Sequence, residues 1–139
     1  MKENERGIWV GETRIYLDEN NIINGIYIGN IDVKIANELR EANLKLMNLV
    51  EGKVKILNDM NRINKPSLVA RKIFQEFTFH KKIEKVAFFG LHPVARVIAS
   101  FFIGGSKKKD MRFFKTREEA LEWLKRDKRD TNGENIRKR

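Results

Sequence analysis

The chain has 139 residues, and its 29 lysines and arginines against 19 aspartates and glutamates give a formal net charge of +10. Hydrophobic residues make up 41% of the sequence, enough for one packed domain and too many for a chain disordered throughout. The absence of cysteine excludes a disulfide framework, a thiol nucleophile and a cysteine-ligated metal site. The start of the chain has no apolar signal segment, and the longest apolar run, residues 97–103, is shorter than the roughly 20 residues of a membrane span. We therefore expect a soluble, cytoplasmic, single-domain protein.

Positive charge is concentrated in two segments of the sequence. Residues 106–112 contain four basic and one acidic side chain, and residues 126–139 contain six basic and three acidic ones. The rest of the chain is only mildly basic, and no arginine-rich helix or paired Cys/His finger accompanies the charge. Nucleic-acid binding through the lysines at 107–109 and the C-terminal tail is therefore an alternative interpretation and not the favoured one.

The first third of the chain predicts a hairpin followed by a helix. Residues 1–7 are polar and are expected to form a flexible N-terminus. Alternating apolar residues at 12–17 and 22–29 flank a turn-forming segment, a pattern typical of a β-hairpin. Asp32 is then a predicted helix N-cap, and the apolar positions that follow at steps of three and four continue the helix to about Val50.

Three strand–helix units follow. We predict strands at 54–60, 85–90 and 111–115, followed by helices that begin at Ser67, Pro93 and Thr116. The nearly unbroken apolar run at 85–90 indicates burial on both faces, as in a parallel sheet. Residues 127–139 lack periodicity and are predicted to form a basic, disordered tail. The sequence therefore predicts a small α/β domain of five strands and four helices over residues 8–126.

No pattern in the sequence points to an enzyme. The two histidines, His80 and His92, are not spaced as metal ligands, and no glycine-rich nucleotide-binding motif occurs. His92 lies between the end of a predicted strand and the start of a helix, where open α/β sheets bind ligands. It has no orienting carboxylate or nucleophile at a recognisable spacing. We expect no catalytic activity, no cofactor and no metal ion.

The segment from Asp59 to Ser67 is the remaining candidate for a functional site. An acidic residue ends a buried strand, a polar loop follows, and Ser67 begins the next helix. A phosphate on that hydroxyl would meet free backbone N–H groups and the positive end of the helix dipole. An N-cap role alone also accounts for a serine at this position.

The arrangement of a hairpin, a helix, a strand containing ILNDM (56–60) and a helix opened by Ser67 resembles the STAS domain of sulfate transporters and anti-sigma factor antagonists. The segments KVAFFG (85–90) and KTREEALEWL (115–124) are similar to the stand-alone STAS-like proteins grouped with the antagonist SpoIIAA. The resemblance covers residues 8–126. It implies a mixed sheet flanked by helices, here five strands and four helices.

The resemblance also implies a non-enzymatic, regulatory protein-interaction module whose partner is a kinase-type anti-sigma factor or a similar protein. In the antagonists that partner phosphorylates a serine at the start of the second helix, a position that Ser67 matches. The family has Asp before this serine and small residues with Gly after it, whereas this chain has Lys65-Pro66 and Leu68-Val69. The difference argues against the same phosphoswitch.

We accordingly assign partner binding, with a candidate phosphosite, to five residues: Ser67, Asp59, Asn61, Lys65 and Leu68. Two further residues, Leu91 and His92, define an alternative site at the rim of the sheet for a small ligand or anion such as a nucleotide or a lipid. Association of the chain with itself also stays open at this stage.

One prediction concerns the basic tail. Because residues 127–139 show no apolar periodicity, their deletion should change the free energy of unfolding by less than about 0.5 kcal/mol. Thermal or denaturant unfolding of the full and truncated chains measures the difference, and a large fall in melting temperature would show that the tail packs on the domain.

Overall fold

The structure, a computed structural model, describes residues 2–4, 6–104 and 110–126. It contains one mixed sheet whose strands lie in chain order: β1 (Lys2–Asn4), β2 (Gly7–Val10), β3 (Thr13–Leu17), β4 (Ile22–Gly29), β5 (Val54–Ile63), β6 (Ile83–Phe89) and β7 (Asp110–Phe114). Its helices are α1 (Val33–Met47), α2 (Leu68–Thr78), α3 (Pro93–Gly104) and α4 (Arg117–Lys125). The α/β class, the four helices and the mixed sheet predicted from the sequence are confirmed.

The predicted number of strands was wrong: the sheet has seven strands, and we predicted five. The two additional strands are β1 and β2, which pair antiparallel with each other, and β2 pairs antiparallel with β3. A four-residue strand shows too little of the period-two alternation to be recognised from sequence. β1 lies within residues 1–7, which we predicted to be flexible. That flexibility stays a prediction, and so do the predicted bounds of the domain, residues 8–126. The predicted tail and the lysines at 107–109 lie outside the described residues.

The predicted hairpin is confirmed as β3 and β4, which pair antiparallel. Asp18 forms the turn between them, because its Oδ1 accepts hydrogen bonds from the backbone N–H groups of Asn20 (2.8 Å) and Ile22 (3.0 Å). Asn21 has a φ of 60°, a left-handed conformation that asparagine tolerates better than most residues.

The order of the parallel strands decides which face of the sheet each helix covers. β4, β5, β6 and β7 pair in parallel, and each follows its neighbour in the chain. Right-handed crossovers between strands added in one direction place α1, α2 and α3 on the same face. These helices pack with that face into the larger hydrophobic core. α4 follows the last strand and packs on the opposite face, where it forms a smaller core around Trp123.

Three of the helices begin at the N-caps predicted from the sequence. Asp32 accepts a hydrogen bond from the N–H of Ile35 (2.8 Å), and Thr116 accepts one from the N–H of Glu119 (3.3 Å). The third N-cap, Ser67, is described with the site. Two boundaries differ: α1 ends at Met47 rather than near Val50, and β5 extends to Ile63, which shortens the loop predicted before Ser67.

A buried lysine attaches α4 to the sheet. The side chain of Lys85 in β6 is 1% exposed, and its Nζ donates to the carbonyl oxygens of Trp123 (3.1 Å) and Arg126 (2.8 Å). The same ammonium lies 4.8 Å from the centre of the Trp123 ring. Because the last carbonyls of a helix have no partner within it and carry partial negative charge, a cation is favourable there. Lys85 therefore caps the C-terminal end of α4 from the strand below.

The titration of Lys85 gives a test of this arrangement. Burial and, to a lesser extent, the charge of Lys55 lower the pKa of Lys85, whereas the unfolded chain keeps the ordinary value of roughly 10.4. Between these two values the unfolded state binds more protons, so the free energy of unfolding should rise with pH. Denaturant titrations from about pH 7 to about pH 10 should therefore show the wild type gaining stability relative to Lys85→Met. A difference that stays constant over this range would contradict the buried, proton-losing lysine.

Candidate functional site

The parallel strand β7 ends at the same edge of the sheet as β4, β5 and β6, and α4 begins there on the opposite face, with Glu118 and Glu119 in its first turn. On the face that carries the larger core, α1, α2 and α3 begin where β4, β5 and β6 end. We define the rim as the segments 30–35, 64–72 and 90–97, which contain the loops after these strands and the first turns of α1, α2 and α3. The rim contains Ser67, Lys65, Leu68, Leu91 and His92, five of the seven residues assigned from the sequence.

Two asparagines join the three segments of the rim. The backbone N–H of Asn64 donates to the carbonyl of Gly29 (3.0 Å), and its Nδ2 donates to Oδ1 of Asn30 (3.0 Å). On the other side, Oδ1 of Asn61 accepts a hydrogen bond from the N–H of Leu91 (2.9 Å). The end of β5 is thus tied to the loop before α1 and to the loop before α3, and the three helix starts form one connected surface.

Asp59 supports this surface and does not face Ser67. Its Oδ1 accepts hydrogen bonds from the backbone N–H and the Nδ2 of Asn61, both at 3.0 Å, and so orients the Asn61 side chain towards Leu91. Asp59 is paired in register with Phe89, which belongs to the core under α4. The Asp59 carboxylate therefore lies on the face opposite α2.

Ser67 is the N-cap of α2, as predicted. Its Oγ accepts a hydrogen bond from the N–H of Ala70 at 3.1 Å, and its backbone conformation is extended. Among the residues that the structure describes, no hydrogen bond joins Ser67 to Asp59 or to His92. The predicted site residues therefore form two groups: Asp59, Asn61 and Leu91 are linked to one another, while Lys65, Ser67 and Leu68 lie at the exposed start of α2.

His92 also has a local structural role. Its Nδ1 accepts a hydrogen bond from the N–H of Val94 (3.0 Å) at the beginning of α3, and its side chain is exposed. Within the described parts of the chain, no carboxylate forms a hydrogen bond or ion pair with it. This environment lacks the orienting group that a general base needs.

Exposed aliphatic side chains are the main feature of the rim that the sequence only partly indicated. Five such side chains lie on it with 41–75% of their surface accessible, in ascending order Val33, Leu68, Val69, Val97 and Leu91. Exposed aliphatic residues on neighbouring helix starts are typical of a binding surface. Leu68 and Leu91 were among the predicted site residues, whereas the three valines were not.

The rim carries a net positive charge. Its segments contain five basic residues and one acidic residue, Asp32, which is engaged as an N-cap. The basic residues are Lys34, Lys65, Arg71, Lys72 and Arg96. None of the three helices that begin there has an acidic residue in its first turn, whereas α4 has Glu118 and Glu119. The positive ends of the α2 and α3 dipoles thus add to the side-chain charge, while the Asp32 carboxylate offsets that of α1.

A cavity of about 40 Å³ lies between the sheet and α2, below Pro66. Its lining is mostly apolar, but Asn58 points a buried Oδ1 into this region, and that atom accepts no hydrogen bond from the described residues. At 10–15 Å³ for each ordered water, roughly three waters fit and a nucleotide or an acyl chain does not. Burial raises the pKa of Tyr27, another lining residue, and keeps its phenol protonated.

Two further findings bear on the candidate functions. Across residues 2–4, 6–104 and 110–126, no three His, Asp or Glu side chains are grouped as metal ligands. In the same ranges, no helix has the length and hydrophobicity that crossing a membrane requires.

Comparison with known structures identifies the fold as SpoIIAA-like, the fold of STAS domains. An uncharacterized protein from the DUF3478 family of Shewanella loihica PV-4, described as having a SpoIIAA-like fold, superposes with a TM-score of 0.59 at 19% identity, covering 89% of this chain and 98% of that one. The anti-sigma factor antagonist SpoIIAA, in its unphosphorylated form, superposes with a TM-score of 0.55 at 12% identity, covering 81% and 96%. Identities this low establish the fold alone.

The chain belongs to the DUF7793 family, a domain of unknown function whose model matches residues 15–128. No curated protein sequence gives a significant match. The resemblance to STAS domains noted in the sequence is therefore confirmed at the level of the fold.

The capping role of Ser67 can be tested by two substitutions. Ser67→Ala removes the acceptor for the Ala70 N–H and should lower the free energy of unfolding by roughly 1 kcal/mol. Ser67→Asp, also a good N-cap, should change it little. Denaturant unfolding of both variants checks the pair, and equal losses would show that the hydroxyl acts through something other than capping.

Proposed function

We propose that this protein is a non-enzymatic, cytoplasmic regulatory module that binds another protein through the rim. A kinase-type anti-sigma factor or a similar regulator is the expected kind of partner, since the fold is that of an anti-sigma factor antagonist. Ser67 lies at the start of the second helix, the position that the resemblance assigns to regulation. The single observation that carries the proposal is the group of exposed aliphatic side chains around it, with Leu91 75% exposed.

The polar groups in and beside the rim support binding better than catalysis. The Oγ of Ser67, the Nδ1 of His92 and an Oδ of Asp59 are each engaged in a local hydrogen bond. A nucleophile activated by a base requires two such groups within hydrogen-bond distance of each other, and these three act separately. What they do instead is fix the helix starts, so that the exposed side chains between them have defined positions.

Affinity measurements with substituted chains test the proposal. A protein retained by the immobilised full chain from a lysate of the source organism would first be identified and purified. Leu91→Ser should then weaken its binding about tenfold or more, since a central apolar contact of an interface is worth roughly 1.4 kcal/mol or more. Leu49→Ser is the matched control, because Leu49 is 57% exposed but follows α1 at the opposite edge of the sheet.

Ser67 provides a second, independent arm of the same experiment. Ser67→Asp should weaken binding by adding a charge at the interface while the fold survives, and Ser67→Ala should have a smaller effect. Equal affinities for the wild type, both Ser67 variants and Leu91→Ser would place the interface elsewhere on the domain.

A further inference from the structure

We infer that the surface recognised by the rim is acidic: the partner presents aspartate or glutamate side chains around an aliphatic centre. This inference rests on the proposed function and adds the chemistry of the partner to it. It follows from three independent features of the rim, namely its side-chain charge, its helix ends and the kind of apolar residue it exposes.

The side chains of the rim carry an excess of positive charge. Lys34, Lys65, Lys72 and Arg96 are exposed, and among the described residues no carboxylate is paired with any of them. In contrast, Lys55 lies 3.7 Å from Glu84, and Arg126 lies 3.7 Å from Glu122. The rim therefore presents four exposed cations that no carboxylate of the described residues neutralises.

The helix ends contribute in the same direction. The first N–H groups of a helix and its dipole favour negative charge, and acidic residues in the first turn normally satisfy this preference. α4 follows that rule with Glu118 and Glu119, and α1 has the Asp32 carboxylate at its N-cap, whereas α2 and α3 have no acidic residue in their first turns. Asn61 links the strand before α2 to the loop before α3, so these two N-termini contribute positive potential to one surface.

The apolar residues favour a protein over a nucleic acid as the source of this negative charge. Single-stranded nucleic acids are bound by aromatic side chains on which bases stack. The large apolar side chains exposed on the rim are leucines and valines. Exposed aliphatic residues surrounded by cations match an interface with an apolar centre and a charged periphery.

Selection from a library of displayed random peptides tests the inference even while the partner is unidentified. Peptides would be selected on the immobilised full chain, with a second selection on Leu91→Ser. Sequences enriched only on the wild type identify peptides that need the rim. We expect them to combine Asp or Glu with Leu, Ile or Val, and to bind more weakly as ionic strength rises.

A charge reversal with a matched control then measures the electrostatic part. Lys65→Glu should weaken an enriched peptide roughly fivefold to tenfold, because it removes an attraction and adds a repulsion. Lys81→Glu changes the net charge equally at an exposed position after α2, near the opposite edge, and should change the affinity less than about twofold.

The possible results separate the inference from the proposed function. Leu91-dependent peptides that are neutral or basic would overturn the acidic partner and leave the rim as a protein-binding surface. No Leu91-dependent peptide would contradict the rim interface itself, and the inference with it. A mixed-sequence single-stranded oligonucleotide that binds more tightly than the peptides, and loses affinity in Lys65→Glu, would assign the charge to nucleic-acid binding instead.

Discussion

The parallel pairing of β4, β5, β6 and β7 in chain order determines where the proposed binding surface of this protein lies. Each strand ends at the same edge, and each right-handed crossover returns along the same face, so α1, α2 and α3 all begin side by side. Asn61, near the end of β5, and Asn64, just beyond it, then hydrogen bond to the loops that follow β6 and β4. A surface built this way has little backbone freedom, which lowers the entropic cost of binding.

The opposite face of the sheet is organised separately. Lys85 and Trp123 hold α4 against β5, β6 and β7, on the other side of the strands from α1, α2 and α3. Over the antiparallel strands, the Arg14 side chain covers the sheet. Its guanidinium lies 4.8 Å from the centre of the Trp9 ring and 4.4 Å from the centre of the Tyr16 ring. Substitutions on the rim should therefore leave both arrangements intact.

Short sequence patterns were sufficient to predict much of the fold. Asp32, Ser67 and Thr116 cap helices because short polar side chains at a helix start satisfy free N–H groups, and this chemistry is visible in sequence. β2 was missed because four residues carry too weak a pattern. The role of Lys85 was missed because its carbonyl partners are 38 and 41 residues away.

The site was predicted in part, for reasons that are also physical. Ser67 and Leu91 could be placed on one edge from the strand order, but the direction of the Asp59 side chain depends on register, which the sequence does not specify. The exposure of Val69 and Val97 depends on how α2 and α3 are rotated on the sheet. One signal was present in the sequence and was missed: no acidic residue occurs in the first turns of α2 and α3, a pattern that can be read once the helix starts are placed.

Hydrogen–deuterium exchange on the complex with the purified partner tests the central claim most directly, since it maps protection along the whole chain. If the rim is the interface, backbone amides in the segments 30–35, 64–72 and 90–97 should exchange more slowly on binding. Amides in the last turn of α4, and those of β2 and β3, lie away from the rim and should be unchanged. Protection confined to α4 or to the strands carrying Trp9 and Tyr16, with the rim unaffected, would contradict the account.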